Sequence, residues 1–470
     1  MSNINSYCSW CYEKTNHKLN EQNYLRRNTY TCSKCSNGTV QCRCCDHMAK
    51  GQPNEQKLAQ LKLSGIKKLS QSWDNELCAE HDGSIASFKK LTMQLDDITQ
   101  YEKIFDRDVL NLAKAGKYAG YGALGAASAA SLALSGGSSS PAVAAVLGNM
   151  GLLGTAGTGV AISSLSGAAL TSASLAAIGG SMATGAAIIS ASGLALGGSL
   201  GGVVANRYHG EDKSFAIRKL RERSSQVKTI FINGFTQKNE TDFFDWQAGQ
   251  LAFDSTPTMY SVNWDSKSNA TLGAAFVRGV GTPAAKSVLV AMAAVGGKQA
   301  AKRINPLAYL TMLPDIISNP WHGAMVRAAQ TGVKVAEAIS RTKGQKFNLV
   351  GHSLGCRVIY YVLVALGSKA DTYINDVILL GGAVGRDDVE GWTTAVSAVD
   401  GKIYNCHSNQ DMVLSKIYKI ANAGLSDPIG INPIKIDNSK IENIKCDDFV
   451  ESHMTWKKHY EKILGIIYPK

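Results

Sequence analysis

Apolar and polar positions follow three different rhythms along this chain, and each rhythm predicts a different kind of structure. Downstream of Arg207, short runs rich in Val, Ile, Phe and Tyr at 227–233, 259–263, 346–350, 376–380 and 402–406 alternate with stretches whose apolar residues recur every three or four positions. Buried strands alternating with helices predict an α/β domain over 207–470, built on a mainly parallel sheet. Between Pro53 and Lys117 the spacing is helical: Leu58, Leu61, Ile66 and Leu69 form one stripe, and Ile85, Phe88, Leu91, Leu95 and Ile98 form another. The second stripe predicts a helical linker over 83–117.

The third rhythm is an absence of charge. Residues 118–206 contain no Asp, Glu, Lys, Arg or His, only small and apolar residues with Ser, Thr, Asn and Tyr. A soluble surface of that size needs charges, whereas a membrane helix needs about 20 apolar residues, so the stretch is expected to hold two to four spans. Gly193, Gly197 and Gly201 recur every fourth residue. Such spacing clears one helix face of side chains and lets helices approach closely, as in a glycine zipper. Basic residues flank both ends (Lys114, Lys117, Arg207, Lys213, Arg218). By the positive-inside rule both flanks face the cytoplasm, with an even number of spans. A low-complexity linker or a soluble Ala/Gly hairpin is the alternative reading.

Composition adds bounds to this picture. A chain of 470 residues, 45% apolar and only 18% charged, is too long for one ordinary core and too apolar for global disorder. Its 49 basic and 37 acidic residues give a net charge of +12. That balance favours anionic partners. Beside the uncharged stretch, the expected partner is a lipid membrane, and no nucleic-acid partner is expected.

Seven of the eleven cysteines lie in the first 45 residues. No basic n-region or apolar h-region marks a cleavable signal peptide there, so reduced thiols that hold metal are expected rather than disulfides. Cys8 and Cys11, Cys32 and Cys35, and Cys42 and Cys45 form three C-x-x-C pairs, and Cys78 and His81 form a C-x-x-H pair. Four pairs supply eight ligands, enough for two closed tetrahedral zinc sites in a double zinc-binding module over 1–82, structural rather than catalytic. Their order resembles a cross-brace finger of the FYVE or RING kind, in which pairs one and three share an ion; consecutive sites remain open. Cys44 competes for one ligand position.

The sharpest motif is Gly351-His352-Ser353-Leu354-Gly355, between the 346–350 run and a helical run at 357–366. Strand, tight turn and helix are the context of a nucleophile elbow, where flanking glycines avoid clashes, so Ser353 is the expected nucleophile. A serine needs a general base and an acid to orient it, in the order Ser, Asp, His for this architecture. His453 is preferred as base over His459, which reads as a solvated helix residue, and over His407, which reads as structural. Asp411, after the 402–406 run, is preferred as acid, with Asp387 and Asp388 in reserve. Asp411 could instead merely cap the following helix. The backbone N–H groups of Leu354 and Phe235 are the expected oxyanion donors.

Ile-Asn-Gly-Phe235, Val-Asn-Trp264-Asp-Ser266, the elbow with its Cys-Arg-Val-Ile-Tyr-Tyr continuation, and the Asp411 and His453 segments together resemble the transmembrane and coiled-coil domain-containing protein 4 family, the former domain-of-unknown-function family 726. The resemblance covers roughly residues 83 to 470. It implies an α/β-hydrolase fold and lipase or esterase activity; the cysteine module lies outside it. The leading expectation is therefore a membrane-associated serine hydrolase acting on lipid esters. A second is a membrane-inserting or pore-forming protein whose hydrolase fold is regulatory or inactive. A third is recruitment to a protein or lipid partner through the zinc module. Residues 271–312 are expected to form a lid, a lipid-facing insertion or a buried helix pair.

Overall fold

Short strands with tight turns at one end of the chain, and long apolar strands linked by helices at the other, produce two separate units in the computed structural model. It describes residues 3–24, 27–52, 76–112, 205, 212, 214–234, 243–264, 320–367, 369, 371–418 and 427–469. The uncharged stretch at 118–206, apart from Ala205, lies outside them, as do residues 271–312 and the stripe at 58–69. Among the described residues no helix is long and apolar enough to cross a membrane.

The first unit contains a five-stranded antiparallel sheet in sequential order: β1 (Ile4–Tyr7), β2 (Lys14–Glu21), β3 (Thr29–Cys32), β4 (Gly38–Gln41) and β5 (Met48–Lys50). Each of the three C-x-x-C pairs occupies or begins a turn between neighbouring strands. The second stripe is not a helix. Ile85, Phe88 and Leu91 lie in turns and a short 3-10 segment (Lys89–Thr92), packed with Tyr12, Cys42, Cys78 and Ala79 in the core of this unit. Gly83, at φ 85°, breaks the run just before them. A 3-10 turn places residues three apart on one face, so it imitates the spacing of a helical stripe.

Leu95–Thr99 belongs instead to the second unit. Leu95 bridges Thr342, its N–H donates to the Arg341 carbonyl (2.7 Å), and Asp97 accepts from Tyr260 Oη (2.9 Å). This unit is built on a seven-stranded sheet in the order β12-β11-β10-β9-β7-β8-β6. Its members are β6 (Ala216–Arg221), β7 (Val227–Ile232), β8 (Thr258–Asn263), β9 (Lys346–His352), β10 (Ile374–Leu380), β11 (Ile403–His407) and β12 (Ile441–Lys445). Only β6 is antiparallel to its neighbour. The strand order reverses between β9 and β7, which opens the crevice at the carboxyl ends of the strands where α/β sites form.

Around the sheet lie α1 (Phe244–Phe253), α2 (Pro320–Arg341), α3 (Leu354–Leu366), α4 (Val389–Ser397) and α5 (Tyr460–Ile467). Helix α3 is buried along almost its whole length. Against it α2 presents Gly332, where a Cβ would stand 2.7 Å from that of Tyr361. On one side of the sheet Phe231 stacks on Trp246 with ring centroids 5.4 Å apart, and Tyr460 meets Trp246 edge-on at 5.3 Å. These rings pack α1 and α5 together over the interior strand β7.

Candidate functional site

Ser353 lies between β9 and α3 with φ 58° and ψ −121°, a backbone conformation that side chains other than glycine rarely adopt. The neighbouring glycines explain how so tight a turn fits. A Cβ on Gly355 would fall 2.0 Å from the Ile232 carbonyl oxygen, and one on Gly351 would fall 2.6 Å from Ile359 Cδ1. The turn is fixed further by the Ser353 N–H, which donates to Leu380 (3.1 Å), and by the Ser353 carbonyl, which accepts from Ala383 (3.0 Å).

Two loops from the carboxyl end of the sheet converge on this serine. His453 Nε2 is 2.8 Å from Ser353 Oγ, and His453 Nδ1 is 2.6 Å from Asp411 Oδ2. All three side chains are buried. Asp411 also accepts the Leu414 N–H on Oδ1 (3.0 Å) and the Trp456 indole on Oδ2 (3.1 Å). It therefore caps the next turn as well as holding the imidazole. An imidazole whose Nδ1–H is held by a carboxylate presents Nε2 as a base, and here Nε2 faces a hydroxyl.

The reserve residues are engaged elsewhere. Asp388 caps α4 and accepts from Tyr360 Oη (2.6 Å), Asp387 pairs with Lys435, and His459 lies edge-on to Phe449. His407 ends β11 as a buried residue whose pKa is lowered by burial.

Gly234 stands directly against the elbow: a Cβ there would come 2.5 Å from the Leu354 nitrogen and 2.9 Å from the His352 carbonyl oxygen. This contact brings the loop after β7 to the Leu354 N–H. Phe235, the other expected donor, lies outside the described residues. Asn233 anchors the loop, since Trp246 Nε1 donates to its Oδ1 (2.6 Å) and Trp264 Nε1 to its carbonyl (2.8 Å).

Sequence reasoning passed over four of these supports. Trp246, Trp264 and Trp456 could have been suspected because a buried indole N–H must find an acceptor. His352 occupied a variable letter of the motif. Its Nε2–H donates to the His453 carbonyl (2.9 Å). Burial, with the charges of His453 and Lys457, holds its pKa well below the ordinary histidine value.

In the first unit the eight named side chains converge in two groups of four, Cys8, Cys11, Cys32 and Cys35, and Cys42, Cys45, Cys78 and His81. The pairing is consecutive, which corrects the cross-brace expectation. Its cause is strand register: β2 and β3 pair His17 with Cys32, which sets the turn after β3 beside the turn after β1. Three pairs share a second device, the N–H four residues on closing the turn: Tyr12 to Cys8 (2.7 Å), Ser36 to Cys32 (2.9 Å) and Asp82 to Cys78 (2.8 Å). Tyr12 and Ser36 take positive φ to do so. Cys44 is exposed and belongs to neither group.

These donors fit a tetrahedral metal. Zn–S bonds of about 2.3 Å imply sulfurs ~3.8 Å apart. Cys8 and Cys35, and Cys11 and Cys32, are each 3.9 Å apart, and Cys45 and Cys78 are 3.6 Å apart. His81 Nδ1 lies 3.8, 3.6 and 3.2 Å from the sulfurs of Cys42, Cys45 and Cys78. Disulfides need about 2.05 Å, so these are thiols. Hydrogen bonding with Cys11 and Cys35, then burial, pushes the Cys8 thiol far up, while hydrogen bonds from Cys11 and Cys8 pull Cys35 down. Each group of four donors could hold one metal ion.

The chain is 26% identical over 265 residues to an uncharacterized membrane protein of Caenorhabditis elegans, F35D11.3, covering 55% of this chain and 42% of that one. It is 26% identical over 277 residues to the probable lipase MIL1 of Saccharomyces cerevisiae, covering 56% and 25%. A 161-residue match to an uncharacterized membrane protein of Schizosaccharomyces pombe, C6F6.13c, has 30% identity and covers 34% and 28%. The matched region thus spans less than half the length of these relatives. A solved dienelactone hydrolase from Anabaena variabilis aligns over 54% of this chain and 88% of its own, at 12% identity and a TM-score of 0.27, which adds nothing to the strand order described above. A family model does match most of the chain, residues 113–469, and the protein therefore belongs to the family described as protein of unknown function (DUF726).

Proposed function

We propose that this protein is a serine hydrolase that cleaves carboxylic esters of lipids at a membrane. The observation that carries the reading is the series Ser353, His453, Asp411, with separations of 2.8 and 2.6 Å, on a serine held at φ 58°. In this reading His453 Nε2 takes the Ser353 proton as Oγ attacks the ester carbonyl, and Asp411 stabilises the imidazolium that forms. The Leu354 N–H stabilises the developing oxyanion, with Phe235 as its expected partner. The alcohol leaves with the proton from His453, and water, activated by the same nitrogen, releases the acid and restores Ser353.

Two kinds of observation support the lipid part. Relatives carry the names of membrane proteins and of a probable lipase. The uncharged stretch at 118–206, with basic residues at both flanks, has the composition of a bilayer-embedded segment whose flanks face the cytoplasm. The metal groups, read as two structural zinc ions, would hold the N-terminal unit together as a surface for a protein or lipid partner; four protein ligands leave no position for substrate.

The test is hydrolysis of a short p-nitrophenyl ester and of phospholipid in vesicles by the purified full chain. Activity on both, abolished by Ser353→Ala, is expected. Hydrolysis of the soluble ester alone would remove the lipid assignment, and hydrolysis surviving the substitution would remove the nucleophile.

A further inference from the structure

The residue before the nucleophile fastens it to its base a second time. His352 ends β9 and is buried, with its ring centroid 4.7 Å from that of His453 at an interplanar angle of 37°. A carbonyl can only accept, so the 2.9 Å contact between His352 Nε2 and the His453 oxygen fixes the hydrogen on Nε2. Ser353 and His453 are thereby linked by a closed path. It runs through the peptide from Ser353 to His352, the imidazole of His352, the backbone and ring of His453, and back to Ser353 Oγ (2.8 Å).

One segment of that path breaks during turnover. Once Ser353 is acylated, Oγ is an ester oxygen and no longer offers a hydrogen to Nε2. His453 must still stand over the acyl carbonyl to activate water. The loop carrying it is tied down at nearby positions: the Val450 N–H donates to Cys446 (2.9 Å), Ser408 Oγ to the Val450 carbonyl (3.1 Å), and Thr455 Oγ1 to the Ser452 carbonyl (2.8 Å). The bond from His352 acts on the peptide of His453 itself, and it is unaffected by acylation.

We propose that His352 is a positioning residue that keeps His453 in place over the acyl-enzyme, so that losing its Nε2–H slows deacylation more than acylation. The inference rests on the hydrolase reading given above. In the step concerned, water adds to the acyl carbonyl while His453 Nε2 takes its proton; the bond to Ser353 Oγ then breaks as that proton passes to Oγ, and a free acid and Ser353 are released. A displacement of about 1 Å in a catalytic group costs on the order of 100-fold in rate. A tether of this kind is therefore expected to matter by roughly 10- to 100-fold in the step that lacks the Oγ contact.

The experiment uses the full chain with p-nitrophenyl acetate in stopped flow, comparing His352→Gln with His352→Met. Both replacements are unbranched and similar in length, but only Gln carries a donor at the position of Nε2. Met is expected to keep a burst within a few-fold of the native rate while the following steady state falls by roughly 10- to 100-fold, with acyl-enzyme accumulating by mass. Gln is expected to restore most of the steady-state rate. Equal slowing of burst and steady state, or Gln no better than Met, would overturn the inference, as would failure of both variants to fold, which would mark His352 as a packing residue. Ser353→Ala serves as the control. If it retains a burst, the hydrolase reading falls with the inference; if it loses the burst while Met and Gln behave alike, only the role of His352 falls.

Discussion

Replacing Gly234 by alanine should disable the site without replacing any residue that handles a proton. The new Cβ would lie 2.5 Å from the Leu354 nitrogen, 2.9 Å from the His352 carbonyl oxygen and 3.0 Å from Ser353 Cβ, where ordinary contact begins at 3.4 Å. Two of these neighbours are backbone atoms of a turn already held at positive φ, so no side chain can swing aside. Either the loop after β7 or the elbow must move by about 0.9 Å. A shift near 1 Å costs on the order of 100-fold in rate, and loss of one oxyanion donor costs ~100- to 1,000-fold in kcat. Since both describe one displacement, the expectation is a fall of at least about 100-fold in kcat, about 2.7 kcal/mol or more, with overpacking removing a further 1–3 kcal/mol of stability. Initial rates with a p-nitrophenyl ester, measured well below the melting temperature of the variant, would check this. Native kcat in a folded Gly234→Ala protein would refute the claim that this loop abuts the oxyanion donor.

Asp411→Asn should lower kcat by about 10,000-fold, because the amide favours the wrong imidazole tautomer; steady-state rates on the folded variant decide it. Trp246→Phe keeps the ring stack on Phe231 but leaves Asn233 Oδ1 without its indole donor, so a loss of about 1–3 kcal/mol in a urea melt is expected, with activity reduced at unchanged KM. The metal groups predict about two zinc ions per chain by elemental analysis, with Cys35→Ser releasing one and leaving ester hydrolysis intact. Asp97 predicts a pH effect. Burial would raise its pKa, but hydrogen bonds from Thr99, then Lys219 and Tyr260, bring it down to about 2. A folded pKa below the unfolded one gives stability that is present above about pH 4 and lost as pH falls toward 2. Asp97→Asn should therefore cost about 2 kcal/mol at pH 7 and much less near pH 2, as read from denaturant melts at both values.

The elbow was legible because its glycines answer to contact: a Cβ on Gly355 has no room against the Ile232 carbonyl, and one on Gly351 would crowd Ile359 Cδ1 and the Cys356 nitrogen. Chain order then singled out His453 and Asp411, and the fold brings His453 within hydrogen-bond reach of Ser353 and Asp411 within reach of His453. What escaped depends on relations between distant strands. Metal pairing follows from the register of β2 on β3, which no C-x-x-C spacing encodes. The edge strands β6 and β12 were missed because half-exposed, charge-rich sequences such as Ala-Ile-Arg-Lys-Leu-Arg carry little of the continuous apolar signal of a central strand. The stripe from Ile85 to Ile98 misled because two cores share it: its first half packs in the cysteine-rich unit, while Leu95 and Ile98 belong to the second unit.

The central claim is that Ser353 is a nucleophile activated by His453. Its most direct test is reaction of the intact protein with a fluorophosphonate, followed by mass spectrometry of the peptide that contains the elbow. One phosphonyl adduct on Ser353 is expected, absent in Ser353→Ala and formed at least ~1,000-fold more slowly in His453→Ala. An unmodified elbow peptide in folded native protein, or an adduct whose rate ignores His453, would contradict the account.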